Sequence, residues 1–331
     1  MSGETQSEGV IERFKRRNYG LIRSLSRGWS RFTTHKMGIL GMLILLSMIG
    51  MAIFAPYLAP HEPGWEAPDE MPGEDRDEIT TIDELAEVGL SHPEGPMFGD
   101  LTGDPYFAPL GTNHQGNDIL THIIYGSRTA LYIGLAAGLL SSLVGVPLGL
   151  ISGYYGDTWI DETIQRVVDV MYGLPFLPLV IVLVAINGVT TTNIILAIVV
   201  KSWLNNCIVI RGETLSLKEN AYIEAAQVAG ASDTRIVFRH IMPNVLPLAF
   251  IYLAQDAAFA ILTQANLAFI GLADFTSVDW GMMLQWIQVT GYVYDAPWWL
   301  IPPGVMITLL AASFYFIGYS LEDVMNPQTS E

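Results

Sequence analysis

Residues 170–200 read VMYGLPFLPLVIVLVAINGVTTTNIILAIVV, 31 positions without a charge. A bilayer core of about 30 Å takes ~20 apolar residues as helix, so this run is too long for one crossing. Asn187-Gly188 and Thr190-Thr191-Thr192-Asn193 place turn chemistry in its middle. The run therefore splits into two predicted spans, one over about residues 164–187 and one over about residues 194–211. That division settles how many times the chain crosses a membrane.

Working outward, Gly38–Leu58 and Thr129–Ile151 are uncharged, Asn244–Ala273 carries the single charge Asp256, and Ala296–Leu321 is uncharged with Pro302-Pro303 near its start. Six spans result. The composition agrees: of 331 residues 51% are hydrophobic and 15% charged, where a soluble domain carries about 25% charged residues. One cysteine and long apolar blocks exclude disordered, collagenous and disulfide-scaffold classes. Gly134, Gly138, Gly145, Pro147 and Gly149, then Gly173, Pro175 and Pro178, let helix backbones approach and bend, as in a bundle with moving parts or a path.

The net charge of −17 is unevenly spread. Residues 1–37 hold eight basic and three acidic side chains; residues 61–110 hold 14 acidic ones and only Arg76 as a base. Under the positive-inside rule both termini are predicted to be cytoplasmic and the acidic loop to lie outside the cell membrane. Four lysines among sixteen basic residues, with so many carboxylates facing solvent, point to a halophilic setting; a partner-binding acidic face is the other reading. In the N-terminal arm Leu21, Leu25 and Trp29 form one stripe and Arg23, Arg27 and Arg31 another, which suits either a helix on the inner leaflet or a solvated basic tail.

The predicted organisation is thus all-α and polytopic. A basic cytoplasmic arm (1–36) leads to a first transmembrane helix (37–58), then to an acidic extracellular loop with a lead-in helix (59–126). A core with five transmembrane helices (127–321) and a cytoplasmic tail (322–331) complete it. Pro63, Pro68, Pro72, Pro93 and Pro96 among so many acids favour an irregular 61–106 insert.

The one long inner loop, 212–243, ends in the stretch ENAYIEAAQVAGASDTRIVFRHIMPNV (219–245). Glu219–Ala229 is rich in helix formers, and Gly230 can take the left-handed conformation that ends a helix. Ser232 or Asp233 can cap a second helix with Val237 and Ile241 on one face. Pro243 marks the start of the fifth span. Ala225, Ala226 and Ala229 present a surface poor in side chains, suited to docking in a groove of another protein, and Glu224 offers a charge to the bend or to that partner.

Glu224-Ala225-Ala226, three residues, Gly230, then twelve residues to Pro243 resembles the EAA loop of ABC-importer permease subunits. Other segments resemble the C-type branch of dipeptide, oligopeptide and nickel permeases: LGTNHQGNDILTHIIYGSRTALYIGL (110–135), GYYGDTWIDETIQRVVDVMYGLP (153–175), FRHIMPN (238–244) and FIGL (269–272). The likeness covers roughly residues 36–60 and 107–327. His240 and Met242, Asn113 and Asn117, Asn205-Asn206 and the long 61–106 insert depart from that branch. The resemblance implies a permease subunit forming half of a path for short peptides or a related small solute. It implies a homologous second permease as heterodimer partner, two cytoplasmic ATPase subunits and an extracellular solute-binding protein. ATP and Mg would be bound by the ATPases, with no cofactor and no catalysis in this chain. Tyr222, Glu224, Ala225, Ala226, Gly230, Ala231, Arg235 and Pro243 are the residues it implies for ATPase coupling.

Polar residues inside spans are candidates for the path. Lys201 and Asn205 lie one turn apart; Gln255 and Asn266 share a face, beside Asp256 and Thr263. Interhelical hydrogen bonding is the competing reading of these groups. Arg166 and Asp169 read as a pair at the membrane edge. His114, Asp118 and His122 recur every four residues, which on one helix would make a metal face; the other reading is a solvated interfacial helix. Cys207 reads as packing. Trp280, Trp286, Tyr292, Tyr294, Trp298 and Trp299 read as boundary anchors, with Val278–Gln288 alternatively an outer scoop meeting the binding protein. No phosphate-binding loop occurs: Lys201-Ser202 is the only lysine followed by Ser or Thr, and Val200 precedes it. A self-sufficient secondary transporter or channel is the alternative function; it calls for internal repeats, which are not evident. A membrane enzyme would need a catalytic cluster, and none is evident.

Overall fold

The computed structural model describes residues 35–64, 93, 95–96 and 108–325. The stripes of the N-terminal arm, most of the acidic insert and the last six residues lie outside the described residues. Within them every regular element is helical. Helix α1 is Lys36–Ile53, followed by the single turn Ala55–Leu58; α2 is Ile119–Tyr154, α3 Trp159–Gly173, α4 Phe176–Asn187 and α5 Thr191–Lys218. Then come α6, Ala221–Val228, α7, Asp233–Phe269, α8, Trp280–Thr290, and α9, Pro297–Met325. Five of these, α1, α2, α5, α7 and α9, are long and apolar enough to cross a membrane, and α3 with α4 passes the same test only as a bent pair, a broken span or a re-entrant loop.

The third span is not the straight helix expected over 164–187. Helices α3 and α4 meet at a 90° bend. Proline at 175 disfavours helical backbone at the residue before it, and Leu174 is extended with ψ 133°. Lys201 Nζ of α5 donates to the Leu174 carbonyl exposed at that corner. Helix α3 carries Asp161, Glu162, Arg166 and Asp169, so it is amphipathic where α4 is wholly apolar. Arg166 pairs with Glu162 at 2.7 Å on an exposed face, rather than with Asp169.

Helix α2 has 36 residues, about 54 Å at 1.5 Å per residue, so it extends beyond a bilayer core. Its beginning explains Asn113, Asn117 and the histidine spacing. Asn113 Oδ1 accepts from the N–H groups of Gln115 and Asn117, each at 2.9 Å, and its amide donates to Asn117 Oδ1 at 3.0 Å. The tight turn delivers Asp118 as N-cap, accepting from Leu120 N, Thr121 N and Thr121 Oγ1. His114 therefore precedes the helix, and the metal face of His114, Asp118 and His122 does not form. Among the described residues no group of three His, Cys, Asp or Glu side chains could hold a metal.

Close helix approach explains the glycine pattern. A Cβ at Gly145 would sit 2.4 Å from the Trp203 carbonyl, at Gly149 2.6 Å from that of Cys207, and at Gly153 2.7 Å from that of Arg211. These glycines, one per turn, press α2 against the backbone of α5. Gly134 and Gly138 do the same against α7, at Ile261 and the Leu253 carbonyl. Cys207 is fully buried beside Val168 and Leu204, the packing role expected of it.

The predicted aromatic belt is partly interior. Trp280 and Trp299 are buried in the cluster that joins α1, α2, α7, α8 and α9, and Trp280 Nε1 donates to the Ile123 carbonyl at 3.0 Å. The His114 ring stacks on Trp286 and Trp299 at centroid distances of 4.9 and 5.4 Å. Desolvation among these rings holds the His114 pKa below its ordinary value. Tyr294, in contrast, is fully solvent-facing.

Candidate functional site

The elbow between α5 and α7 is built around one buried side chain. In α6 only Ile223 is buried, seated among Leu150, Tyr154, Ile210, Ile236, Ile241 and Val245. Tyr222, Glu224 and Ala225 are exposed and Ala226 is half-buried. Val228 is 85% exposed. Gly230 has φ 81° and nothing within 4 Å of where a Cβ would be. It reverses the chain by backbone freedom alone. Ala231 packs on the Ile223 cluster, while Arg235 and Pro243 are exposed.

Helix α7 starts at Asp233 and runs unbroken to Phe269, so Pro243 lies within a helix and does not open one. The ladder accommodates it by a π-helical turn at Val237–Ile241, where Met242 N bonds to the Val237 carbonyl. Pro243 has no N–H, and the widened turn absorbs the mismatch that its ring imposes. Ser232 occupies the N-cap position without a side-chain cap bond. The carboxylate of the next residue, Asp233, accepts from Tyr154 at 2.7 Å and Tyr155 at 3.4 Å, tying the elbow to the end of α2.

Beside this tie lies a network that sequence reasoning missed. Arg211 of α5 donates through Nε and Nη2 to the two oxygens of Asp161 in α3, both at 2.7 Å. Ser152 of α2 also donates to Asp161, and Gln165 donates to Ser152. The bidentate pair satisfies a carboxylate only 5% exposed. A single cation closing an apolar run was the available signal; its partner 50 residues earlier was not.

A pocket of about 320 Å³ opens between α3, α4, α5, α7 and α9. Lys201, Asn205, Gln255 and Asp256 line it together, with the aromatic rings of Tyr172, Phe176, Phe259 and Tyr315. Asp256 is 8% exposed, and its Oδ2 accepts from Asn206 Nδ2 at 2.6 Å. Thr263 and Asn266 lie further along α7 and do not line the pocket: Thr263 is buried and Asn266 is exposed elsewhere.

These features, a helical bundle of five spans and a bent helix pair with a pocket and a protruding elbow, define a multi-pass membrane protein. Residues 145–331 match the model of the binding-protein-dependent transport system inner membrane component, and residues 25–73 that of the N-terminal TM domain of oligopeptide transport permease C. The dipeptide transport system permease protein DppC of Alkalihalophilus pseudofirmus is 32% identical over 312 residues, covering 94% of this chain and 92% of that protein. DppC of Bacillus subtilis is 30% identical over 304 residues, covering 91% and 84%. The glutathione transport system permease protein GsiD of Pectobacterium atrosepticum is 31% identical over 301 residues, covering 91% and 90%. A chain from inward-facing MetNI methionine ABC transporter crystals is 16% identical with TM-score 0.48, covering 63% of this chain and 97% of that one. The chain belongs to the family of binding-protein-dependent transport inner membrane components, in its C-type peptide-permease branch. Membership sets aside the self-sufficient transporter or channel; the relatives are transport permeases, and the family implies a separate ATPase and a solute-binding protein.

Proposed function

We propose that this chain is one of two homologous permeases of an importer for short peptides, with Lys201, Asn205, Gln255 and Asp256 on its half of the path. Two cytoplasmic ATPases, which bind the ATP and Mg, grip α6, and an extracellular binding protein delivers the solute. Both termini are cytoplasmic. Relatives named for dipeptide and glutathione transport support the substrate class. The observation that carries the coupling reading is α6 itself: a helix rooted by Ile223 alone, with Tyr222, Glu224, Ala225 and Val228 left exposed beside the flexible Gly230 corner. Glu224 and Arg235 supply charges to the ATPase cleft, Ala226 and Ala231 allow close seating, and Pro243 stiffens the start of the span that the elbow moves.

The test uses Ala226→Cys in a Cys207→Ala background, with the full complex in cells. The thiol is expected to resist an impermeant reagent in intact cells, to react after permeabilisation, and to be shielded when the ATPases are assembled. Labelling from outside would overturn the reading. So would normal ATPase co-purification after removal of residues 221–230.

A further inference from the structure

The pocket between α5 and α7 holds one cation and one anion that do not neutralise each other. Lys201 and Asp256 both line it, yet among the described residues no ion pair joins them. Lys201 spends one of its three protons on the Leu174 carbonyl, which fixes the ammonium at the corner between α3 and α4. Asp256 accepts one hydrogen bond from Asn206, and among the described residues its other oxygen makes none. Beside it the fully buried Asn206 keeps its own Oδ1 without a donor. A buried carboxylate short of donors on the pocket wall is costly unless something supplies N–H groups, and Asn206 stands behind that wall rather than on it.

The chemistry that answers this wall carries both signs. A simple cation would meet Lys201, and a simple anion would meet Asp256. A molecule with an ammonium at one end and a carboxylate at the other meets each in its place. The volume of about 320 Å³ lies at the lower end of small-ligand pockets, which run from about 300 to 1,000 Å³. The faces of four aromatic rings give side chains of varied shape an apolar rest, and two of those rings, Tyr172 and Tyr315, add a hydroxyl.

We propose that Lys201 and Asp256, the latter backed by Asn206, form a two-charge subsite that reads the carboxylate and the ammonium termini of a short peptide in transit. This rests on the reading of the pocket as part of the path and adds which groups select the solute there.

The experiment uses the assembled permease and ATPase complex without the binding protein, so that the permease's own selectivity is read. Asn205→Cys, in the Cys207→Ala background, gives a thiol on the pocket wall whose rate of modification by a charged, water-soluble reagent is measured. Dialanine is expected to slow that rate, whereas N-acetyl-dialanine and dialanine amide, each lacking one charge, slow it only at roughly tenfold or higher concentration. Adding Asp256→Asn removes the preference over the acetylated peptide, and adding Lys201→Gln removes the preference over the amide. Equal protection by all three peptides, none by dialanine, or preferences untouched by the substitutions overturns the subsite. A modification rate that still changes on trapping with ADP and vanadate leaves the path standing in that event. A thiol that never reacts in any nucleotide state removes the path and the subsite together.

Discussion

Replacing Gly149 by alanine adds one methyl group where α2 crosses α5. The new carbon would lie 2.6 Å from the Cys207 carbonyl oxygen and 2.8 Å from Ile210 Cβ, where ordinary contact begins near 3.4 Å. The oxygen is backbone, so no rotamer change relieves it, and the helices must part locally by roughly 0.8 Å. A gap of that size forfeits about a quarter to a half of the dispersion energy of the contacts it opens. Overpacking of this kind costs about 1–3 kcal/mol. Gly212→Ala is the control: it adds the same methyl to α5 with nothing within 4 Å, and relief of glycine's backbone entropy makes it favourable by about 0.5–1 kcal/mol. The two variants should therefore separate by roughly 1.5–4 kcal/mol, a gap of several degrees in thermal midpoint. Fluorescence-detected gel filtration of the heated, purified complex reads it. The order is also set: Gly145→Ala, with a carbonyl at 2.4 Å, is worst, Gly149→Ala is next, and Gly318→Ala, whose nearest neighbour is at 3.5 Å, is indistinguishable from Gly212→Ala. Equal midpoints for Gly149→Ala and Gly212→Ala would refute the claim that backbone contact holds α2 to α5.

Arg211→Gln strands the Asp161 carboxylate and should cost about 3–5 kcal/mol, with Arg211→Lys restoring only part because a point charge cannot replace two parallel bonds; thermal midpoints of both variants check it. Asp274 is held down to about 2, first by the Thr276 hydroxyl and then by Thr191, whose N–H and Oγ1 it fastens at the start of α5. A depressed carboxylate stabilises fully above its ordinary pKa and loses that contribution as pH falls toward 2, so wild-type midpoints should drop more steeply below pH 4 than those of Asp274→Asn. Trp280→Phe removes the indole hydrogen bond to the Ile123 carbonyl and should cost about 1 kcal/mol. Gly126→Ala drives a methyl to 2.5 Å from the same indole nitrogen, so the two changes should be non-additive in a double-mutant cycle by denaturation.

Charge-free length made the spans legible, because the bilayer imposes one length scale on every crossing helix. Gly134, Gly138, Gly145 and Gly149 were legible as close-packing positions for the same reason that they matter: only a missing side chain admits a neighbouring backbone. The corner at Leu174 was harder. Gly173 and Pro175 were visible, but hydropathy averages over them, and the separation appears only when α3 buries Asp161 and Val168 while α4 buries Val180 and Val184. Pro243 marked the entry to the fifth span but gave no sign of the π turn through which α7 runs into it. Tryptophan type did not reveal that Trp280 and Trp299 face inward, because belt and core use the same apolar rings.

The polar residues divide along a physical line. Lys201, Asn205, Gln255 and Asp256 line one pocket because each charge or amide in an apolar run must escape lipid, and helical period puts Lys201 and Asn205 one turn apart at the same opening. Thr263 and Asn266 obey the same period yet miss the pocket, since period fixes a direction on α7 but not which neighbour covers it. Asp161 with Arg211, and Tyr154 with Asp233, are separated by 50 and 79 residues, and no local pattern encodes such pairings. Their placement nevertheless follows from the rest of the fold. The glycines bring α2 and α5 so close that Ser152, Arg211 and the start of α3 share one small volume, where a carboxylate can be satisfied only by many donors at once. Tyr154 sits at the end of that same tight seam, and so the hydroxyl that meets Asp233 roots the elbow in the close contact of α2 with α5. An exposed helix held by Ile223 alone would hinge loosely at Gly230; fastened also through Asp233, it can pass a displacement to α2 and α7 together.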